Sequence, residues 1–217
     1  ITLSYFTIKN AGIDGWSNAA LTVRDRRNHD GVHISHGDIS GSYQTGLSLL
    51  HNNNDYDMEW SSVEISNVDV HHSQNDWAVR VYYSYNSNVT LDSLHIHSNE
   101  RGLAIESQYY PCNLNVTNCT IESNEYEEVR VSYVNTSDPN VQVHVNENTI
   151  RDTVSTNNDQ LVETYGYNYG ASLDFRRNYW GSVVTDSMNA GSNPRNLHWF
   201  DDWHDYDRYG LISYADY

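Results

Sequence analysis

The stretch VEISNVDV, residues 63–70, has apolar side chains at its first, third, sixth and eighth positions, a pattern that we call a comb. The comb occurs seven times, and 25 of its 28 positions are apolar although only 38% of the chain is hydrophobic. The copies cover residues 1–8, 32–39, 63–70, 89–96, 114–121, 143–150 and 173–180. Successive copies start 25 to 31 residues apart, which indicates a repeat protein with loops of variable length.

The spacing within the comb predicts two short strands joined by a bend. A spacing of two is the period of a β-strand. The spacing of three between the two pairs adds one residue, so the chain must bend there to keep both pairs inward. Turn-forming residues stand at this point: Ser66-Asn67, Asp92-Ser93, Thr117-Asn118 and Asn146-Glu147. A third inward strand follows several copies, at Leu47–Leu49, Val79–Val81, Leu103–Ile105 and Val129–Val131.

Three strands per repeat predict an all-β fold, a single parallel β-helix of about seven coils. No coil can bury its own apolar face, but stacked coils bury a continuous core between them. A helical fold is disfavoured because no stretch keeps a period of 3.6 over ten residues. We expect the coils over residues 1–181 and a C-terminal closing segment of the same domain over 182–217.

The charge of the chain excludes several kinds of partner. It has 29 acidic and 12 basic residues, a net charge of −17, and Lys9 as its only lysine. Nucleic-acid binding needs basic stripes, so it is not expected, and neither is binding to anionic membrane surfaces. No run approaches the roughly 20 apolar residues of a membrane-spanning helix. Little Lys and Met with much Asn, Ser, Thr and Tyr is typical of a secreted protein, so we expect an extracellular or cell-surface location.

Cysteines and glycosylation motifs add little. We expect Cys112 and Cys119 to be unpaired thiols, with Cys119 buried as a comb position. Four sequons make Asn88, Asn115, Asn118 and Asn135 candidate glycosylation sites. Their number is not informative, because a chain so rich in Asn, Ser and Thr reaches it by chance.

The end of the chain carries a family resemblance. Residues 178–181 read NYWG, an acidic stretch follows, and residues 210–214 read GLISY. This resembles the closing segment of right-handed parallel β-helix domains in the pectate-lyase-like group, which have an Asn-Tyr-Trp-Gly turn and a Gly-x-Val/Ile-x-Tyr strand. Such domains occur in secreted bacterial proteins and in the animal cell-junction protein Bark beetle, or Anakonda. The resemblance implies a right-handed β-helix, but this scaffold carries lyases, epimerases, tailspikes, adhesins and spacers alike.

Outward side chains at the seventh and ninth comb positions stack on neighbouring coils about 4.8 Å apart. They predict one cluster, which we call the His/Asp patch: Asp38, Asp69, His71, His95, His97 and Glu122. One interpretation is a site for a divalent cation such as calcium, or an acid/base pair acting on a polysaccharide. The alternative, which we favour from sequence, is a solvated face of an acidic protein.

The third strand of each coil has an outward row of its own. Arg80 and Arg130 stand on this row two coils apart, with Ala104 between them. β-Helix lyases that resemble this fold use a carboxylate-held calcium and an Arg or Lys base. We find no carboxylate cluster on the row beyond Glu106, so no lyase motif is matched. The row is interpreted as surface arginines that pair with a negative surface.

The first coil is expected to present an apolar edge formed by Ile1, Leu3, Phe6 and Ile8. Open strand edges recruit other chains. We therefore expect upstream residues or a second molecule, stacked end to end, to cover it, and the chain to be a segment of something longer.

These observations favour a non-catalytic extracellular module with a structural or adhesive role in a larger protein, fibre or surface assembly. Its expected partners are other protein chains or copies of itself, and carbohydrate is a further candidate. No cofactor is expected beyond a divalent cation. The rival interpretation is a carbohydrate-active enzyme, namely a polysaccharide lyase, an epimerase or a glycosidase.

Overall fold

The computed structural model describes residues 1–12, 19–24, 31–50, 61–82, 86–135, 137–152, 160–166, 172–191, 195–202, 204–205 and 209–214. Its elements are β1 (Thr2–Lys9), β2 (Leu21–Arg24), β3 (Val32–Ser40), β4 (Leu47–Leu50), β5 (Ser61–His71), β6 (Trp77–Tyr82), β7 (Ser87–Asp92), β8 (His95–His97), β9 (Arg101–Glu106), β10 (Cys112–Thr117), β11 (Thr120–Glu122), β12 (Val129–Ser132), β13 (Val141–Asn146), β14 (Thr149–Arg151), β15 (Val162–Tyr165), β16 (Ser172–Asp174), α1 (Ser182–Asn189), β17 (Phe200–Asp201) and β18 (Leu211–Ser213).

The strands form two parallel sheets that wrap into a solenoid. The eleven-stranded sheet bends along the middle of each comb and therefore makes two faces. The first face holds β7, β10, β13, β16 and β18, and the second holds β8, β11 and β14. The long strands β1, β3 and β5 run through the bend and contribute to both. The third face is the seven-stranded sheet of β2, β4, β6, β9, β12, β15 and β17.

The predicted fold class is confirmed, with one difference in count. The chain is an all-β parallel solenoid of about five turns, slightly fewer than the seven predicted from the combs. The four predicted third strands are confirmed as β4, β6, β9 and β12, whereas β15 and β17 were not predicted.

The bend between the first two faces has the same backbone conformation in every comb. The fifth comb residue has φ between 54° and 62° in all seven copies, from Tyr5 to Arg177. L-residues rarely adopt this left-handed conformation, and Asn tolerates it better than most. The bends predicted at Asn67, Ser93, Asn118 and Glu147 are confirmed. The copies with Tyr5 and His36 at this position show that the coil geometry imposes the conformation on residues that do not favour it.

The apolar comb positions form one continuous core, in which Ile39, Ile65, Leu91, Leu114 and Val145 are each fully buried. Gly37 is a comb position without a side chain because Phe6 of the preceding turn fills its place. A Cβ atom on Gly37 would overlap the Phe6 ring. The glycine therefore reflects packing between turns rather than a break in the pattern.

The two asparagines of the combs are buried and hydrogen-bonded along the solenoid axis. The Oδ1 atom of Asn178 accepts from the backbone N–H of Asn148 at 2.8 Å and from its side-chain Nδ2 at 3.1 Å. Asn148 in turn accepts from the N–H of Cys119 at 2.9 Å. Buried polar groups are stable when they are paired in this way, so these positions support the core rather than interrupt it.

Both cysteines are free thiols, as predicted, and both are buried. The sequence predicted burial only for Cys119. Cys112 is also buried because it begins β10 with its side chain inward. Burial raises the pKa of each thiol to about 12.

The C-terminal segment covers the end of the core with aromatic side chains. β17 extends the third face and β18 extends the first. The Trp180 ring centroid lies 5.0 Å from that of Phe200, which lies 5.6 Å from that of Tyr214. The short helix α1, which the sequence did not predict, buries Val184 and Met188. Among the described residues no helix has the length and apolar character needed to cross a membrane.

Candidate functional site

The His/Asp patch lies on the second face, where parallel pairing aligns its residues in two columns. Asp38, Asp69 and His95 are register partners along one column. His71, His97 and Glu122 are register partners along the other. Side chains two residues apart on a strand point to the same side, so the two columns lie next to each other on the outer surface.

The centre of the patch consists of Asp69, His95 and His97. The Oδ1 atom of Asp69 lies 3.1 Å from Nε2 of His97 and 3.8 Å from Nδ1 of His95. The two imidazoles stack, with ring centroids 4.1 Å apart and planes inclined by 27°. One ligand atom from each residue lies within 4.8 Å of the other two.

His71 and Asp38 form a more open pair at one end of the patch. The Nε2 atom of His71 lies 3.5 Å from Oδ2 of Asp38. The His71 ring stacks on that of His97 with centroids 5.2 Å apart. The pair thus contacts the centre through ring stacking.

Further groups hold the outer ring nitrogens of the two central histidines. The Nε2 atom of His95 lies 3.4 Å from Oε1 of Glu122, whose Oε2 accepts a hydrogen bond from Arg151 at 2.6 Å. The Nδ1 atom of His97 lies 3.1 Å from the hydroxyl oxygen of Ser98. Both imidazoles are therefore oriented from the side that faces away from Asp69.

The electrostatics of the patch favour the neutral form of His97 and the ionised form of Glu122. Burial and the neighbouring His95 lower the pKa of His97, and Asp69 only partly opposes them. Burial alone would raise the pKa of Glu122, but hydrogen bonds from Arg151 and His95 lower it below its usual value. A neutral ring nitrogen next to a carboxylate oxygen can ligate a divalent metal ion, or accept a proton from a bound molecule.

The third face carries a network of arginines and carboxylates, whereas the sequence indicated Glu106 as the one carboxylate beside this row. Arg80 contacts Glu106 at 2.6 Å and Asp76 at 3.9 Å. Arg130 contacts Glu163 at 2.5 Å and Glu127 at 3.2 Å. The sequence missed Glu163 because it lies on the unpredicted β15, and Glu127 because it lies in the turn before β12.

Arg101 and the aromatic rings complete this network. Arg101 contacts Glu100 at 2.8 Å and Glu127 at 3.2 Å, and its guanidinium lies 4.8 Å from the Tyr126 ring centroid. The guanidinium of Arg130 lies 5.0 Å from the ring of Trp77, two strands away across β9. Ala104 lies on β9 between them and is buried, although its row was predicted to face outward.

Acidic groups at the C-terminal end of this face lie close enough to repel one another. Burial raises the pKa of Asp201 to about 6, and the nearby Asp205 and Glu163 add to the effect. Burial likewise raises the pKa of Glu163, and Arg130 opposes it. The side chains of Glu127 and Glu163 are 13% and 12% exposed, so the network is only partly open to solvent.

The first face carries a shallow, amide-lined depression of about 300 Å³ between β7, β10 and β13. Its lining residues are Asn88, Cys112, Asn113, Asn140 and Gln142. Of the four sequon residues, Asn88 and Asn118 are exposed, whereas Asn115 and Asn135 are half-buried. The Nδ2 atom of Asn118 donates to Asp92 at 2.7 Å, so a glycan on Asn118 would disrupt an existing contact. Glycosylation at these sites stays a prediction.

The predicted assembly edge is the outer edge of β1, which pairs with β3 on its other side. Ile1 is 78% exposed, and Leu3, Phe6 and Ile8 are half-buried. Stacking of another chain on this edge stays a prediction.

Comparison with known proteins addresses the fold. Neither the curated proteins nor the solved structures contain a match to this chain. Residues 2–180 match the family model described as the right handed beta helix region, a match that covers all of the comb positions except Ile1. Because the family model matches most of the chain and the structure is a parallel β-solenoid, the chain belongs to the right-handed β-helix family.

Proposed function

We propose that this chain is a non-catalytic β-helix module with a structural or adhesive role in a larger extracellular assembly. The proposal is supported chiefly by how the third face uses its charged side chains. Each of Arg80, Arg101 and Arg130 contacts two carboxylates, one on its own turn and one on the next turn. The contacts that link neighbouring turns are Arg80–Glu106, Arg101–Glu127 and Arg130–Glu163.

Paired arginines argue against the rival function of cleaving or epimerising acidic polysaccharides. An enzyme of that type needs a cation free to bind the substrate carboxylate and a base free to take a proton. On this face the guanidinium groups are already neutralised by carboxylates, and all three also lie against aromatic rings. The contacts fit the mechanical role of holding successive turns together.

An extracellular location is supported by composition and by the closing segment. Lys9 is the only lysine, and 18 tyrosines and 29 acidic residues give a polar, negative surface. Residues 178–214 resemble the closing segments of secreted bacterial β-helix proteins and of an animal cell-junction protein. A net charge of −17 disfavours nonspecific clumping of such a surface module.

Turnover assays test the non-catalytic part of the proposal. The purified chain, with and without calcium, is incubated with a panel of acidic polysaccharides, and unsaturated products, reducing ends and epimerised sugars are measured. We expect none above the rate without protein. Turnover that disappears in Asp69→Asn or Arg130→Gln would overturn the proposal and establish the rival enzyme function.

Location is tested separately on cells that produce the protein. Antibodies against residues of the exposed second face are applied to intact and to permeabilised cells. We expect equal labelling of both, or recovery of the protein from the medium. Labelling only after permeabilisation would overturn the extracellular part.

A further inference from the structure

We propose that Asp69, His95 and His97 form a binding site for one divalent transition-metal ion of the Zn²⁺ type. This inference does not depend on the structural or adhesive role proposed above. It replaces the general expectation of a calcium-like cation with a specific donor set.

The spacing of the three donor atoms is the first argument. Zinc binds nitrogen and oxygen ligands at about 2.0–2.2 Å, so tetrahedral ligand atoms lie about 3.3 Å apart. The Oδ1 atom of Asp69 lies 3.1 Å from Nε2 of His97 and 3.8 Å from Nδ1 of His95, on either side of that value. The ligand nitrogens of His95 and His97 lie within 4.8 Å of each other, so side-chain rotation is required to bring all three atoms onto one ion.

The Asp69 oxygen supplies the second argument. Its Oδ1 atom is shielded from solvent and, among the described residues, accepts no hydrogen bond of good geometry, although Nε2 of His97 lies 3.1 Å away. An oxygen in this position normally requires a partner, because leaving a buried acceptor unsatisfied is unfavourable. The carboxylate oxygen of Asp69 and the ring nitrogens of His97 and His95 thus lie close together without hydrogen-bond alignment. Ligand atoms of a common metal ion have this arrangement.

The groups behind the histidines supply the third argument. Metal-binding histidines usually direct their second ring nitrogen to a carboxylate or another polar group, which fixes the ring and its tautomer. Glu122 provides this contact for His95 at 3.4 Å and is itself held by Arg151. The Ser98 hydroxyl provides it for His97 at 3.1 Å. Both histidines thus have the outer contacts of ligands.

The scaffold keeps the donors in place. His95 and His97 lie two residues apart on β8, and Asp69 lies on β5 as the register partner of His95. Val70 and Ile96, which alternate with these donors, are fully buried in the core. An ion at this site would bridge two neighbouring turns of the solenoid.

The donor types select the class of metal. Two imidazole nitrogens and one carboxylate suit Zn²⁺, Co²⁺, Ni²⁺ or Cu²⁺, whereas Ca²⁺ and Mg²⁺ prefer shells of oxygen atoms. The side chains of Asp69, His95 and His97 are 41%, 44% and 24% exposed. The fourth coordination position therefore faces solvent, where water or a donor group of a second molecule can occupy it.

Calorimetry on a chain without a polyhistidine tag tests the site. The protein is freed of metal with a chelator and titrated near neutral pH with Zn²⁺ and, separately, with Ca²⁺. We expect one Zn²⁺ per chain and no comparable binding of Ca²⁺. Asp69→Asn and His97→Phe, which preserve shape and ring stacking, should each weaken Zn²⁺ binding at least tenfold, and Glu122→Gln about 10–100-fold.

His144→Gln is the matched control. His144 also contacts a carboxylate, Asp174, at 3.0 Å on the first face, but it is not part of the Asp69 group. This variant should bind Zn²⁺ as the wild type does. Circular dichroism verifies that every variant keeps its β-structure.

The wild-type chain gives a second readout that needs no variant. Co²⁺ in a four-coordinate site of this kind absorbs intensely in the visible range, and Zn²⁺ should displace it with loss of that absorption. The inference is overturned if Zn²⁺ binds no more tightly to the wild type than to Asp69→Asn and His97→Phe. It is equally overturned if Ca²⁺ is bound in preference, or if Co²⁺ gives only the spectrum of the free ion.

Discussion

Cys119 and Asn148 occupy equivalent comb positions on adjacent turns and make equivalent hydrogen bonds. The Nδ2 atom of Asn148 donates to the carbonyl oxygens of Val116 and Asn146, each at 2.9 Å. The Sγ atom of Cys119 lies 3.7 and 3.2 Å from the carbonyl oxygens of Leu91 and Thr117, and its one S–H group donates to either of them. Each residue also accepts from the N–H one turn earlier, which for Cys119 is that of Leu94. Asn148 and Asn178 are joined by such hydrogen bonds along the solenoid axis, and we call this row the asparagine ladder. Cys119 takes the next position of the ladder, where its thiol makes weaker hydrogen bonds than an amide.

Replacing Cys119 should show how much this ladder position contributes to the free energy of unfolding. Cys119→Asn supplies a stronger donor and acceptor of similar size, so its free energy of unfolding should equal or exceed that of the wild type. Cys119→Val removes the acceptor of the Leu94 N–H, which lies 3.4 Å from the sulfur, and should cost about 1–3 kcal/mol. Urea unfolding followed by circular dichroism measures both. A more stable Val variant would show that the sulfur contacts contribute nothing.

The left-handed bend gives a prediction that depends on backbone conformation alone. Asn67 has φ of 54° and an exposed side chain. Asn67→Gly should be nearly neutral, because glycine adopts this conformation without steric cost. Asn67→Val should lose about 1–3 kcal/mol, since a β-branched residue is strained there. Thermal unfolding of the two variants decides the matter, and equal melting temperatures would contradict the prediction.

The comb alone was enough to predict the first two faces, because both depend on inward apolar residues at fixed spacing. The third face was predicted only in part. β15 places Thr164 inward, where its hydroxyl donates to the carbonyl of Gly210 at 2.9 Å, so no apolar alternation marks this strand. An inward polar residue satisfied by a distant loop cannot be read from local periodicity.

The His/Asp patch was easier to predict from sequence than the arginine network of the third face, because only the patch lies on strands that the comb marks. Asp69, His95 and His97 could be grouped from sequence, because aligning the combs gives the strand register directly. The carboxylate partners of Arg130 could not be grouped in this way, because Glu127 lies outside the strands and Glu163 lies on the unrecognised β15.

The helix α1 was not predicted from the sequence. It buries only Val184 and Met188 against the core, too few residues to give a helical pattern.

The ion pairs of the third face should contribute measurably to stability. Arg130 is 26% exposed and bridges Glu127 and Glu163, which are 13% and 12% exposed. Arg130→Gln should cost about 1–2 kcal/mol, because it removes the ion-pair partner of the largely buried Glu163 and leaves Glu127 with Arg101 alone. Arg176→Gln is the control: Arg176 is 51% exposed, and its loss should cost less than about 1 kcal/mol. Equal losses in chemical unfolding would show that the third-face network is no stronger than a surface pair.

The buried Glu128 should make stability depend on pH. Asn124 donates to it from its backbone N–H at 3.1 Å and from its side-chain amide. Burial outweighs these contacts and raises the pKa of Glu128 to about 8, from 4.5. Between these two values the folded chain retains a proton that the unfolded chain has released.

Since the folded state binds the extra proton, the free energy of unfolding should fall as pH rises from about 4.5 to about 8. The stabilisation of the folded state by the extra proton is complete below this pH window and lost above it. Within the window, the slope of the unfolding free energy against pH approaches about 1.4 kcal/mol per pH unit for one titrating group. Glu128→Gln removes the titrating group, so the difference in unfolding free energy between wild type and variant should change across the window. Urea unfolding of both proteins from pH 5 to pH 8 measures that difference, and parallel curves would show that Glu128 does not bind the proton.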